Sequence, residues 1–149
     1  MKFTHLDENG KATMVDVSNK PVVKRTALAE GYIYLQENTI KMIEDNVMKK
    51  GDVLTVAQIA GIMGGKKASE LIPLCHNIEI ENISVNCEIE KNRIRITGKS
   101  VCTEKTGIEM EALTSVSIAA LTIWDMCKAV DKKMKISEIT LLKKTKELR

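Results

Sequence analysis

Aromatic side chains are scarce, with one Phe, two Tyr and one Trp in 149 residues. That leaves little on which nucleobases could stack and no RNP-like aromatic strand, so nucleic acid is not expected as a partner. Histidine is as sparse: only His5 and His76 occur. No Cys/His spacing resembles a zinc module, and no metal site is expected. The four cysteines (Cys75, Cys87, Cys102, Cys127) lie 12, 15 and 25 residues apart without a C-x-x-C pair. They are expected to be reduced thiols, three of them in the core. The first ten residues hold no apolar h-region, and no run approaches the ~20 residues of a membrane span. A cytoplasmic protein with no membrane partner is the expectation. P-loop, Rossmann glycine fingerprint and catalytic triad are also missing.

What is there reads as one globular domain over 1–149, with 44% hydrophobic and 29% charged residues. The net charge of +3 is uneven. From Asp131 to Arg149 seven basic residues meet three acidic ones, leaving the preceding 130 residues at −1. A basic end is usually a solvated face, and it also suits a polyphosphate.

The chain is organised around Gly107 to Val130, which opens with Glu109 and Glu111, turns almost wholly small or apolar, and closes with Asp125 and Lys128. No Gly or Pro interrupts it after Ile108. Leu113, Ser117, Ala120, Trp124 and Cys127 recur at helical steps, which predicts a long helix buried on most sides. Before it, residues 1–20 read as an N-terminal arm and Arg25 to Leu35 as a strand. Asn38 is expected to cap a helix in which Ile40, Ile43 and Val47 share a face, with Gly51 at its C-terminal stop. Asp52 caps the next helix, which Gly64-Gly65 is expected to break. Ile83, Val85, Cys87 and Ile89 alternate with polar residues, and the turn Glu90-Lys91-Asn92-Arg93 returns the chain through Ile94 and Ile96. A last strand runs through Ile136, Ile139 and Leu141, and 144–149 is expected as a flexible tail. The order β-α-α-β-β-α-β is an α+β, ferredoxin-like (split βαβ) antiparallel sheet with helices on one face and one extra helix.

Several residues carry chemistry. His76 follows Cys75 in an apolar loop that has no structural need of an imidazole. A Cys-His dyad is conceivable, but neighbours in an extended segment point to opposite faces, so His76 would have to reach another thiol. Lys50 and Lys66 sit beside glycines at helix junctions, where exposed lysines are ordinary and close approach to a ligand is also easy. Asp125 and Lys128 lie one turn apart, so the carboxylate can tune the lysine. The residues alone therefore reach a small α+β enzyme or a binder for an anionic ligand, the alternative from another class being a non-catalytic nucleotide- or RNA-binding ferredoxin-like module.

The runs M-V-D-V-S-x-K (14–20), K-G-D-V-L (50–54), A-Q-I-A-G-I (57–62), L-I-P-L-C-H (71–76), T-G-I-E-M-E-A-L-T (106–114) and A-A-L-T-I-W-D-M-C-K-A-V (119–130) carry a resemblance. Together they resemble the molybdenum cofactor biosynthesis protein C family, the cyclic pyranopterin monophosphate synthases. The resemblance implies a lyase that turns (8S)-3′,8-cyclo-7,8-dihydroguanosine 5′-triphosphate, supplied by a radical enzyme acting on GTP, into cyclic pyranopterin monophosphate and pyrophosphate. It implies a ferredoxin-like homohexamer, a trimer of dimers with its site between subunits. No resident cofactor is implied, and Mg²⁺ with the triphosphate stays open. Carried over by position, Asp125 is the catalytic aspartate and Lys50 and Lys128 fall where the family lines the pocket; the expected mechanism has these two lysines trade protons beside Asp125. Leu74, Cys75, His76, Met110 and Glu111 fall at substrate-binding positions, and Glu109, Lys66, Arg25 and Lys144 line the pocket. The family commonly closes with K-S-G-G-K-S-G where this chain has K-K-T-K-E-L-R, so the carry-over stops at Lys144. If Glu111 and Asp125 share one straight helix, ~21 Å separates them, which points to a site shared between chains.

Overall fold

The computed structural model describes residues 3–148. Four strands and four helices follow one another as β1 (Val23–Tyr34), α1 (Glu37–Glu44), α2 (Val53–Lys66), α3 (Ala68–Leu71), β2 (Ile80–Ile89), β3 (Arg93–Glu104), α4 (Glu109–Cys127) and β4 (Lys135–Glu147). The sheet order is β2-β3-β1-β4, every pair antiparallel. This is the expected α+β split βαβ arrangement, extended by the single-turn α3.

Period-2 patterning explains the layers. Along β1, Ala27, Ala29 and Ile33 are buried, as are Ile94, Ile96 and Cys102 of β3, and these face the core under α4. The alternate residues Tyr32, Tyr34, Arg93 and Arg95 lie half-exposed on the other face, where the Arg93 guanidinium sits 3.9 Å above the centre of the Tyr32 ring. The axis of the core is α4: Ala112, Val116, Ala119, Ala120 and Ile123 are fully buried against sheet and α2. Trp124, expected on the buried stripe, is one of its more exposed residues at 37%. Contrary to the expectation that no run approaches a membrane span, the helix is long and apolar enough to cross a membrane by length and composition. Its apolar surface is instead consumed as the central helix of the fold.

Several element ends differ from expectation. Helix α1 is capped at Gln36, not Asn38, and the buried Asp131 carboxylate supplies the acceptor there. It takes hydrogen bonds from Gln36 N and Thr39 Oγ1, both at 2.9 Å. The helix stops at Glu44 because Asn46 adopts φ 51°. Asn46 N bonds Ile43 O and Val47 N bonds Met42 O, a Schellman closure with Asn in the glycine position. Val47 is thereby thrown out to 60% exposure, and Gly51 (φ 104°) turns a later loop. Asp52 does cap α2, its Oδ1 accepting from Thr55 N at 3.2 Å. Gly64 and Gly65 do not break α2, which continues through Lys66. A Cβ on Gly64 would lie 2.5 Å from Ile118 Cγ1, and one on Gly65 2.8 Å from Ile83 Cδ1. They are small because helix and sheet pass there. The expected tail from 144 is strand as far as Glu147, since Lys144 and Lys146 pair with Ala27 and Arg25 on the otherwise open edge of β1. Arg149 lies outside the described residues.

Candidate active site

Both ends of α4 carry candidate site residues. At its start, Glu109 and Glu111 occupy the first turn, where carboxylates complement the helix dipole. A cavity of about 430 Å³ opens there, lined by Ile72, Leu74, Cys75, His76 and Ile78 from the loop before β2. Thr106, Gly107, Glu109 and Met110 close it from the start of α4, and His5 reaches its wall from the arm. At Gly107 the Glu109 carboxylate folds into the space a side chain would fill. A second cavity of about 760 Å³ shares Thr106, Gly107 and Glu109, and adds Lys20, Arg25, Lys144 and Lys146. The Arg25 guanidinium is aimed by the end of β3, donating to Glu104 O at 3.1 Å and Lys105 O at 3.2 Å. Lys144 Nζ approaches Glu109 Oε1 at 3.9 Å. Lys66 ends α2 and is exposed.

Glu111 is the unusual group. It is 2% exposed, its Oε1 is 3.9 Å from Cys75 Sγ, and its Oε2 has no partner among the described residues. Burial pushes its pKa up, and the Glu109 charge adds to the effect. The Cys75 thiol is pushed up to about 11, first by burial and then by the Glu111 carboxylate. Such a thiol is protonated at neutral pH and is a poor nucleophile. His76 turns away from it, with Nε2 2.6 Å from Val15 O in the arm.

At the other end, Asp125 lies between two ammonium groups. Lys128 Nζ is 2.8 Å from Oδ1, and Lys50 Nζ is 3.0 Å from Oδ2. These hydrogen bonds, Lys128's foremost, hold the Asp125 carboxyl down to about 2. Lys50 comes from the loop after α1, and the α2 packing along α4 brings it there. The three side chains are about half exposed, so the cluster faces outward and is open to a ligand.

The sequence model of the MoaC family matches residues 14–147. The chain belongs to the MoaC family. It is 55% identical over 145 residues to "Cyclic pyranopterin monophosphate synthase" of Peptoclostridium acidaminophilum, covering 97% of this chain and 92% of that one. It is 56% identical over 145 residues to the protein of the same name from Clostridium perfringens (strain 13 / Type A), covering 96% and 92%. "Cyclic pyranopterin monophosphate synthase 1" of Mycobacterium bovis is 49% identical over 146 residues, covering 97% and 86%.

In this MoaC-family chain eleven of the twelve site residues expected from sequence divide into two groups, while Lys66 lines neither cavity. Lys50, Asp125 and Lys128 meet at the end of α4. Leu74, Cys75, His76, Glu109, Met110 and Glu111 gather at its start, with Arg25 and Lys144 around the adjoining cavity. Sequence reasoning missed Ile72, Ile78, Thr106 and Gly107 as walls, and Lys20 and Lys146 as basic neighbours. The Pro73-centred loop and the Thr106-Gly107 step before a helix were the available signals.

Proposed function

We propose that this chain is an enzyme of molybdenum cofactor biosynthesis, a lyase that converts (8S)-3′,8-cyclo-7,8-dihydroguanosine 5′-triphosphate into cyclic pyranopterin monophosphate and pyrophosphate. The observation that carries the mechanism is the meeting of Lys50 and Lys128 on Asp125. A carboxylate between two ammonium groups can hold one as proton donor while its partner, once deprotonated, accepts. Opening of the purine ring and closure of the pterin both need such proton exchange. Attack of a ribose-derived hydroxyl on the α-phosphorus then expels pyrophosphate, its proton passing to the lysine pair. Lys20, Arg25, Lys144 and Lys146 around the larger cavity suit the triphosphate. The neighbouring pocket with Leu74, His76 and Met110 suits the base. No redox cofactor enters this scheme, and Mg²⁺ would travel with the triphosphate.

The two residue groups sit at opposite ends of a 19-residue helix. We therefore take the site to be shared between subunits of a homohexamer, a trimer of dimers. An outward apolar stripe on α2 (Val56, Ile59, Met63), with Leu121 and Trp124 of α4, supports burial against further copies. The substrate would come from a radical enzyme acting on GTP, and four free thiols suit a cytoplasmic setting. Incubation with the cyclo-dihydro-GTP, read by pyrophosphate release and pterin fluorescence, tests the activity. Tight binding of the triphosphate without pyrophosphate release would favour a non-catalytic nucleotide-binding module instead.

A further inference from the structure

The arm before β1 holds the motif M-V-D-V-S-x-K, of which the mechanism uses only Lys20. Along Thr13, Val15 and Val17 the chain is half-buried, while Met14, Asp16 and Ser18 are exposed, the alternation of an extended segment laid on the body. It joins no strand of the sheet. Side chains of the body hold it by its carbonyls instead. His76 Nε2 lies 2.6 Å from Val15 O, and Lys105 Nζ donates to Ser18 O at 3.1 Å. Asp16 shapes the turn between them, its Oδ1 accepting from Ser18 N at 2.9 Å and from the Ser18 hydroxyl. Further back, Thr13 N donates to His5 O at 2.8 Å, which brings His5 to the pocket wall.

A carbonyl oxygen can only accept. The Nε2 atom of His76 must therefore carry hydrogen, and in the neutral ring the free lone pair is on Nδ1. Among the described residues Nδ1 makes no hydrogen bond. We propose that the arm is a positioning element for His76: the Val15 backbone carbonyl fixes the tautomer and the plane of the ring, leaving Nδ1 as an acceptor for an N–H or O–H group of the substrate. Asp16 and Lys105 act through that carbonyl, as outer partners that aim a ligating imidazole do elsewhere. A ring aimed by backbone loses no acceptor strength to a competing side chain. It also cannot swing onto Cys75, which keeps the thiol and the imidazole from pairing. The inference rests on the reading of this pocket as the substrate site.

The test uses the full chain with ¹⁵N-labelled histidine. With only two histidines to assign, the spectrum of His76→Ala identifies the His76 signals. The wild type should show an Nε2–H proton protected from solvent exchange. Asp16→Ala combined with Lys105→Met should lose that protection and lower kcat/KM by at least ~10-fold, within what misplacement of a reacting or binding group costs. Assembly and melting temperature should stay put. Asp16→Asn with Lys105→Arg, which keep an acceptor and a donor, should restore both readouts. If the double variant does not fold, Asp16→Ala alone is held to the same two readouts. A protected Nε2–H in the loosened variant, or its loss without a fall in kcat/KM, overturns the proposal. Full turnover by His76→Ala would overturn the pocket reading itself, whereas an inactive His76→Ala beside a fully active arm variant overturns only the arm.

Discussion

Lys50 Nζ lies 3.0 Å from Asp125 Oδ2 although 75 residues separate them in the chain. The contact exists because Lys50 lies in the loop leading to α2, whose glycine face packs along α4. With Lys128 on the other oxygen, the carboxylate is shared between two possible proton carriers.

Replacing Asp125 by Asn keeps size and removes the charge that both lysines use. Turnover should fall by at least ~100-fold, the low end for losing acid–base help. The cluster is half exposed, so the melting temperature should not move. Because the carboxyl sits at about 2, it stays ionised throughout the range where the enzyme can be assayed. Any acid limb between pH 4 and 7 must then arise from a group other than Asp125. Near-normal turnover of Asp125→Asn would reduce Asp125 to a helix-end residue.

Glu111 makes the opposite prediction for stability. Burial raises its folded pKa above the usual 4.5, so the folded chain holds the proton more tightly than the unfolded chain. Stability from this group is therefore fully present below about pH 4.5 and declines as pH rises through the folded value. Glu111→Gln removes that decline. Its melting temperature relative to wild type should climb by a few degrees between pH 4 and pH 8, as an unsatisfied buried group costs ~1–3 kcal/mol. Activity should be lost. Parallel melting curves at both pH values would contradict the assignment.

Cys75 lines the pocket, and the proposed mechanism gives its thiol no covalent step. With the thiol at about 11, Cys75→Ser should keep turnover within about tenfold of wild type, while His76→Ala should lose ~100-fold. A covalent substrate adduct trapped on Cys75 by mass spectrometry would reverse this.

The α2–α4 contact can be probed at Gly64. A methyl there meets Ile118 at 2.5 Å, so the helices must part, costing ~1–3 kcal/mol. Gly64→Ala should melt several degrees lower, at about 2–4 °C per kcal/mol, and should lose activity through displaced Lys50. Unchanged melting would mean that the packing is looser than these distances require.

Gly64 also marks where the sequence ceases to be legible. Period 2 in β2 and β3, the Asp52 cap, the Glu90–Arg93 turn and the Asp125–Lys128 step are local, and each is found where the residues put it. Gly64-Gly65 reads locally as a helix break. Its reason is Ile118, fifty-four residues on from Gly64, and Ile83 on the sheet. The α1 terminus went astray for a local reason that propensity undervalues, Asn46 taking the left-handed conformation. At the site, the joining of Lys50 to Asp125, the burial of Glu111 under Cys75 and the hold of His76 on Val15 all depend on long-range packing. Composition and spacing do not carry that information. The motif resemblance supplied the residues but not which of them would meet.

The proposal of a site shared between chains yields the last prediction. Glu111 lies within α4, in its first turn, and fourteen residues of helix put Asp125 ~21 Å away. One reacting centre cannot touch both within a chain. Glu111→Gln and Asp125→Asn should each be inactive alone. Mixed under conditions of subunit exchange, some dimers combine the start of one chain's α4 with the end of the other's. One of their sites then carries both lesions, and the other is intact. Activity should therefore return on mixing, approaching a quarter of wild type if exchange is random and each intact site works independently, as independent pairing of two lesions requires. Sites built within one chain would all carry a lesion, and mixing would restore nothing. Absence of recovery, with exchange verified by mass-tagged subunits, would assign both clusters to separate tasks within a single chain and leave the family membership untouched.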